Sequence, residues 1–216
     1  MIDPGKILDQ LVRSGAAQGF AGGLAGGVLA NALAGKKGRK LAGSAMKVGG
    51  LALVGGLAYK AWQAHQRSAR GVATPPIGEP EPLPQPGVAF LPRQDDIAET
   101  SALSLLIARA LISAAKADGQ IDTRESQAIL NQINASELSA EDKAFLFEEY
   151  GRPIDITALV RDVDTPEHAA EVYTASVLIV DPPSVAEKIY LDSLASALGL
   201  DRGLVAQIHQ TLETAR

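Results

Sequence analysis

An acidic corner between two apolar segments holds the residues best suited to chemistry. Asp118, Asp122 and Glu125 flank the turn at Gly119, just after the long apolar stretch 97–116. Carboxylate oxygens are the ligands that hard cations such as Ca²⁺ and Mg²⁺ prefer, although this spacing is not that of an EF-hand loop. The corner therefore predicts a candidate site for a divalent cation.

The same corner also fits a purely structural interpretation. Asp118 and Gly119 would stop one helix and turn the chain. Asp122 would cap the next helix, and Glu125, three residues later, would complete a capping box. Cation binding and helix capping are both open for these carboxylates.

A second corner repeats the pattern further along the chain. Asp181 follows another apolar stretch, and Ser184 and Glu187 stand in the capping-box relation. Asp181 and Glu187 would complete the cation site if the fold brings the two corners together.

The sequence shows no pattern of catalytic residues. The chain has no cysteine and only three histidines, and no histidine stands in a nucleophile–base arrangement. No phosphate-binding Gly-x-x-x-x-Gly-Lys motif occurs. A further group of carboxylates is predicted to be a solvated acidic face: Asp162, Asp164, Glu167 and Glu171. We therefore expect a protein that is not an enzyme.

Charge divides the chain into two parts. Residues 1–92 carry 10 Lys/Arg and 4 Asp/Glu, whereas residues 93–216 carry 10 Lys/Arg and 21 Asp/Glu. A basic, glycine-rich part joined to an acidic part indicates two different roles. The acidic part would repel nucleic acid, so we expect no nucleic-acid partner.

The first apolar segment contains a glycine zipper. Gly15, Gly19, Gly23 and Gly27 are spaced four residues apart within an uncharged stretch, 15–35. This spacing allows close helix–helix approach in a bilayer, whereas each interior glycine costs a helix in water about 1 kcal/mol relative to alanine. The zipper favours a membrane-embedded helix that could also form a homo-oligomer.

The second apolar segment, 41–62, ends like an interfacial anchor, with Trp62 beside a lysine. Together the two segments predict a glycine-rich helical hairpin over residues 1–69 that contacts membrane lipid. Two alternatives remain open: a hairpin packed in water on itself or on a partner, and a flexible glycine-rich lead.

The remaining sequence divides into a linker and an acidic helical domain. The stretch 70–94 is rich in proline and predicts an extended linker, which could hold the next domain up to about 60 Å away. Residues 95–216 predict an all-α bundle of about seven helices, from helical periodicity and N-cap residues such as Asp95 or Asp96, Ser139, Asp155 and Thr165.

Two motifs resemble a known family. Residues 114–125, with the pattern Ala-Ala-Lys-Ala-Asp-Gly-Gln-Ile-Asp-x-x-Glu, and residues 186–200 are similar to the TerB-like domains associated with tellurite resistance. The layout of the whole chain resembles the DUF533 family of YebE-type inner-membrane proteins. The resemblance implies a compact helical domain, an acidic metal-binding candidate site and association with the bacterial inner membrane.

These observations give two functional hypotheses. The first is a non-enzymatic, membrane-associated TerB-like module that binds a partner protein, a divalent cation or both, in envelope or metal stress. We expect its helical domain in the cytoplasm, since no export signal is visible. The second is an oligomerising glycine-zipper protein or scaffold, which the helical domain regulates.

Overall fold

The described part of the chain is all-helical. The computed structural model describes residues 2–18, 49–69, 87, 89–93, 95–119, 131, 133–180 and 183–215, with side chains from 13 to 18 excepted, and no strand occurs among these residues. Eight helices are bounded as follows: α1 Pro4–Gln18, α2 Gly49–Ala69, α3 Ile97–Ala115, α4 Ala140–Gly151, α5 Ile156–Arg161, α6 Pro166–Ile179, α7 Val185–Ala197 and α8 Arg202–Ala215. Residues 133–135 are also helical. The predicted all-α class is confirmed.

Side-chain caps set the beginnings of five helices. Each capping oxygen accepts a hydrogen bond from the backbone N–H three residues later, which satisfies a donor that the first turn leaves unpaired. The capping residues are Asp96, Ser139, Asp155, Thr165 and Ser184. The N-cap residues read from the sequence therefore place these helix starts correctly.

Helix α6 is the centre of the bundle. Every residue from Ala169 to Ile179 is buried, and α6 packs against α2, α3, α7 and α8. Helix α3 packs on α6 and carries α1 on another face. A helix that is apolar all round is stable in water only when neighbours surround it, and the bundle supplies them.

The N-terminal helices belong to the same core. Ile7 and Leu8 of α1 and Val54 and Ala58 of α2 are fully buried, in one cluster with the residues of α3 and α6. The backbone N–H of Asp3 also donates to the α4 carboxylate of Asp142 at 2.7 Å. Two helices from the glycine-rich half are thus packed on the acidic half.

This packing brings the end of the predicted linker onto the helices of the first half. Phe90, inside the predicted linker, is 4% exposed and meets the rings of Tyr59 and Trp62 edge to face. A linker holding the halves about 60 Å apart is not what the described residues show. Burial of apolar surface favours docking, because each buried large side chain contributes about 1.5–3 kcal/mol. The domain boundaries at 69 and 94 stay a prediction.

Helix α3 is the one described helix that is long and apolar enough to cross a membrane. Half of its most apolar window is buried inside the bundle, and the core helix of a soluble protein meets the same criteria. Its burial against α1 and α6 accounts for its composition.

Candidate functional site

The first acidic corner is described only at its beginning. Asp118 follows α3, and Gly119 adopts a φ of +65°, a left-handed conformation that favours glycine. The Lys116 ammonium reaches across to the Glu149 carbonyl at 3.2 Å and to the Arg152 carbonyl, at the end of α4. Burial lowers the pKa of Lys116, which the charge of Glu149 partly offsets. The predicted ligands Asp122 and Glu125 lie outside the described residues.

The second corner is a helix cap. The Ser184 backbone N–H donates to the Glu187 carboxylate at 2.7 Å, and the Glu187 backbone N–H donates to the Ser184 hydroxyl at 3.2 Å. Glu187 is 8% exposed, and Asp181 lies outside the described residues. The part of the chain that the structure describes contains no group of three or more Asp, Glu or His side chains that could hold a metal ion. A cation site at the corners therefore stays a prediction.

The predicted membrane and oligomer residues are also only partly described. Gly15 lies in α1, and three members of the zipper lie outside the described residues: Gly19, Gly23 and Gly27. Trp62, predicted as an interfacial anchor, is half-buried and stacks edge to face on Phe90 with ring centroids 5.7 Å apart.

A groove of about 520 Å³ lies between the end of α2, the α5–α6 connection and the α7–α8 turn. Its volume falls within the range of ligand pockets. Apolar side chains form much of the lining: Trp62, Val163, Pro166, Leu198, Leu200 and Leu204. Because α2 supplies one wall, the groove exists only when α2 is docked on the bundle.

The rim of the groove carries acidic groups. Asp164 and Asp201 line it, and His65 Nε2 lies 3.6 Å from Asp201 Oδ1. Asp201 also accepts from the backbone N–H groups of Gly203 and Leu204, which fixes its carboxylate at the start of α8.

The ends of helices α7 and α6 contribute partial charges to the electric field in the groove. Helix α7 ends here at Ala197, Gly199 turns the chain with a φ of +66°, and a helix C-terminus carries partial negative charge. Helix α6 begins here, and Asp164 and Glu167 stand against its partial positive charge. The arrangement suits an apolar ligand that carries positive charge.

A contact between a buried tyrosine and a half-buried histidine was not predicted. Tyr173 Oη and His209 Nε2 are 3.1 Å apart, and burial lowers the pKa of His209 despite nearby Glu213 and Asp192. The sequence offers no signal for this pair, because its members lie on two helices, 36 residues apart.

Glu171 contradicts the prediction of a solvated acidic face. Its side chain is fully buried, and neither carboxyl oxygen has a hydrogen-bond partner among the described residues. Burial, and secondarily the charge of Glu167, raises the pKa of Glu171 to about 9. A signal was present in the sequence, because Glu171 is the single charge in the apolar run 169–179.

The fold and the groove thus define an all-helical protein with a ligand-sized surface groove. The chain belongs to the family described as protein of unknown function (DUF533), which matches residues 18–212. It is also similar to a protein of Yersinia enterocolitica described as "Uncharacterized protein in ampR 5'region". The two are 28% identical over 103 residues, which cover 48% of this chain and 74% of the relative. No solved structure matches the chain significantly.

Proposed function

We propose that this protein is a non-enzymatic, membrane-associated module with a TerB-like bundle, and that its groove binds a segment of a partner protein. The observation that carries the proposal is the groove, with its apolar lining, two carboxylates and ligand-sized volume. The partner segment we expect has an apolar anchor residue next to Lys or Arg, since complementary charge gives specificity at interfaces.

The composition and length of residues 19–48 support the proposal of membrane association. About 30 residues are too few for two spans of about 20 residues each. One span would put α1 and α2 on opposite sides of the membrane, whereas these helices pack on each other. We therefore propose that this segment inserts into the inner membrane from one side, with the bundle on the cytoplasmic face.

Membrane association can be measured by fractionating cells that express the full chain and washing the membranes with carbonate. Retention in the washed membrane supports embedding of residues 19–48. Complete release into the soluble fraction contradicts it, and leaves the groove proposal standing.

Groove binding can be measured with labelled peptides and the full-length protein in lipid nanodiscs. The probes are seven-residue peptides with one Leu or Phe between two Lys, and the same peptides with Glu in place of Lys. Fluorescence anisotropy should show binding of the Lys peptides and much weaker binding of the Glu peptides. Equal binding of both sets, or no binding of either, contradicts the proposal.

A double variant and a control variant test whether the peptides bind in the groove. Asp164→Asn with Asp201→Asn removes both rim charges and keeps the cap of α8, because Asn caps helices as well as Asp does. We expect roughly three- to tenfold weaker peptide binding. Asp96→Asn makes the same chemical change at the cap of α3 and should leave affinity unchanged.

A further inference from the structure

A carboxyl group without a partner lies inside the bundle. Glu171 has 0% exposure, and both of its carboxyl oxygens lack a hydrogen-bond partner within the described part of the chain. Leaving such a group unpaired destabilises a fold, and ionising it there would destabilise it far more. The proposed function of the groove gives Glu171 no role.

Three chain segments meet at this carboxyl. A Cβ built on Gly55 of α2 would lie 2.9 Å from Glu171 Oε1 on α6 and 2.7 Å from the Phe90 carbonyl oxygen. It would also approach the Leu91 side chain at 3.3 Å. The carboxyl and the carbonyl therefore border the same small space over Gly55, which a glycine alone leaves open.

The chemistry of these two oxygens depends on one proton. A backbone carbonyl only accepts hydrogen bonds, so a carboxylate beside it is repelled, whereas a protonated carboxyl can donate to it. Burial holds Glu171 in the protonated form at neutral pH by raising its pKa to about 9. In that form the acid has a proton to donate into the space that it shares with the Phe90 carbonyl oxygen.

The helices around α6 add no further charge to the pKa of this proton, because α7 contributes Tyr190, whose pKa burial raises to about 12, and Asp192, whose charge acts on Tyr173 and His209. Glu167, on α6 itself, is the charged neighbour that acts on Glu171. Gly55, Phe90 and Leu91 on the facing segments do not ionise. The buried residues of α3 and α8 are uncharged, and His209 of α8 bonds to Tyr173.

We propose that Glu171 is a proton-dependent latch, which as a neutral acid holds α2 and the turn at Phe90 against α6 and on ionisation releases them. Ionisation would place a negative charge against the Phe90 carbonyl in an apolar surround. Separation of the segments relieves that repulsion by admitting water. Because Trp62 of α2 forms one wall of the groove, release would also dismantle the groove. A rise in pH is therefore the change that releases the two segments.

The latch can be tested with the protein's own fluorescence. Trp62 is the sole tryptophan of the chain and stacks on Phe90, so its emission reports whether α2 and the turn are docked. We expect the full-length protein to show a red shift with a midpoint near pH 9. A flat emission maximum from pH 6 to about pH 10 overturns the latch.

Two variants assign the transition to this carboxyl. Glu171→Gln keeps the shape and cannot ionise, so its emission should stay flat over the same pH range. Glu167→Gln removes the charge that adds to the effect of burial on the pKa of Glu171, so the midpoint should move to lower pH by a fraction of a unit. An unchanged midpoint in Glu171→Gln overturns the proposal. If Glu171→Gln does not fold, the Glu167→Gln midpoint decides, and an unshifted or upward-shifted value counts against the latch.

Discussion

Phe90 and Trp62 meet edge to face with their ring centroids 5.7 Å apart, which fixes the end of the proline-rich stretch on helix α2. Tyr59 makes a similar contact with Phe90 at 5.5 Å. This cluster lies where the sequence predicted an extended linker, and it joins the glycine-rich half of the chain to the acidic half.

Phe90→Ala should therefore destabilise the whole fold. Phe90 is 4% exposed, and truncating a buried phenylalanine costs about 3 kcal/mol or more. Urea denaturation followed by circular dichroism measures the loss. Phe147→Ala, at a half-buried position on α4, is the control and should cost much less. Equal, small effects would mean that Phe90 is not part of the core.

Gly55→Ala tests the close approach of α2 to α6. The added methyl group would stand 2.7 Å from a backbone carbonyl oxygen, so we expect a loss of about 1–3 kcal/mol of unfolding free energy. Gly151→Ala is the matched control, because no heavy atom lies within 4 Å of its new methyl group. The control should be neutral or slightly stabilising. Similar behaviour of the two variants would contradict the packing at Gly55.

The buried Glu171 should make stability depend on pH in a defined direction. Its pKa rises from 4.5 to about 9 on folding, so the folded state binds the extra proton between those values. Stability from this group is complete below pH 4.5 and falls as pH rises toward 9. The slope should approach about 1.4 kcal/mol per pH unit.

Glu171→Gln should remove the part of the pH dependence of stability that comes from this group. Denaturant titrations at several pH values from about 7.5 to about 8.5 should show a steeper decline for the natural protein than for the variant. Parallel declines would show that another group titrates. His209 does not interfere, because its lowered pKa affects stability only as pH falls below 6.5.

Variants at the second corner distinguish helix capping from cation binding. Ser184→Ala should cost about 1 kcal/mol, because it removes the hydroxyl that accepts from the Glu187 backbone N–H. Glu187→Gln should cost little, since Gln also completes a capping box. Adding Ca²⁺ or Mg²⁺ checks the other hypothesis. A rise in melting temperature that Glu187→Gln abolishes would show that this carboxylate binds the cation.

Helix positions could be read from the sequence because local chemistry fixes them. Asp96, Ser139, Thr165 and Ser184 are capping residues wherever the helices finally pack, so their meaning does not depend on the fold. The same locality explains the turn after α7, where Gly199 has the left-handed conformation. Seven helices over residues 95–216 were expected, and six are bounded there, with helical residues 133–135 beside them.

The docking of α2 could not be predicted in this way. A face of glycine and alanine predicts close approach to another helix, whether the surroundings are lipid or protein. Gly55 and Ala58 fit against the bundle by the same property that favoured a bilayer. The burial of Glu171 was not predicted because its sequence neighbours at 162, 164 and 167 are also carboxylates, and the group was interpreted as an exposed acidic face. The groove depends on three distant segments and has no sequence signature.

The distance between α2 and α8 tests the central claim that helices from both halves form one body. The chain has no cysteine, so Gln66→Cys with Arg202→Cys allows clean spin labelling of two exposed positions next to His65 and Gly203, which approach each other. Electron–electron distance measurements should give one narrow peak below about 25 Å, given helix spacings of about 10 Å. A broad distribution reaching toward about 60 Å, the span of an extended proline-rich linker, would contradict the account.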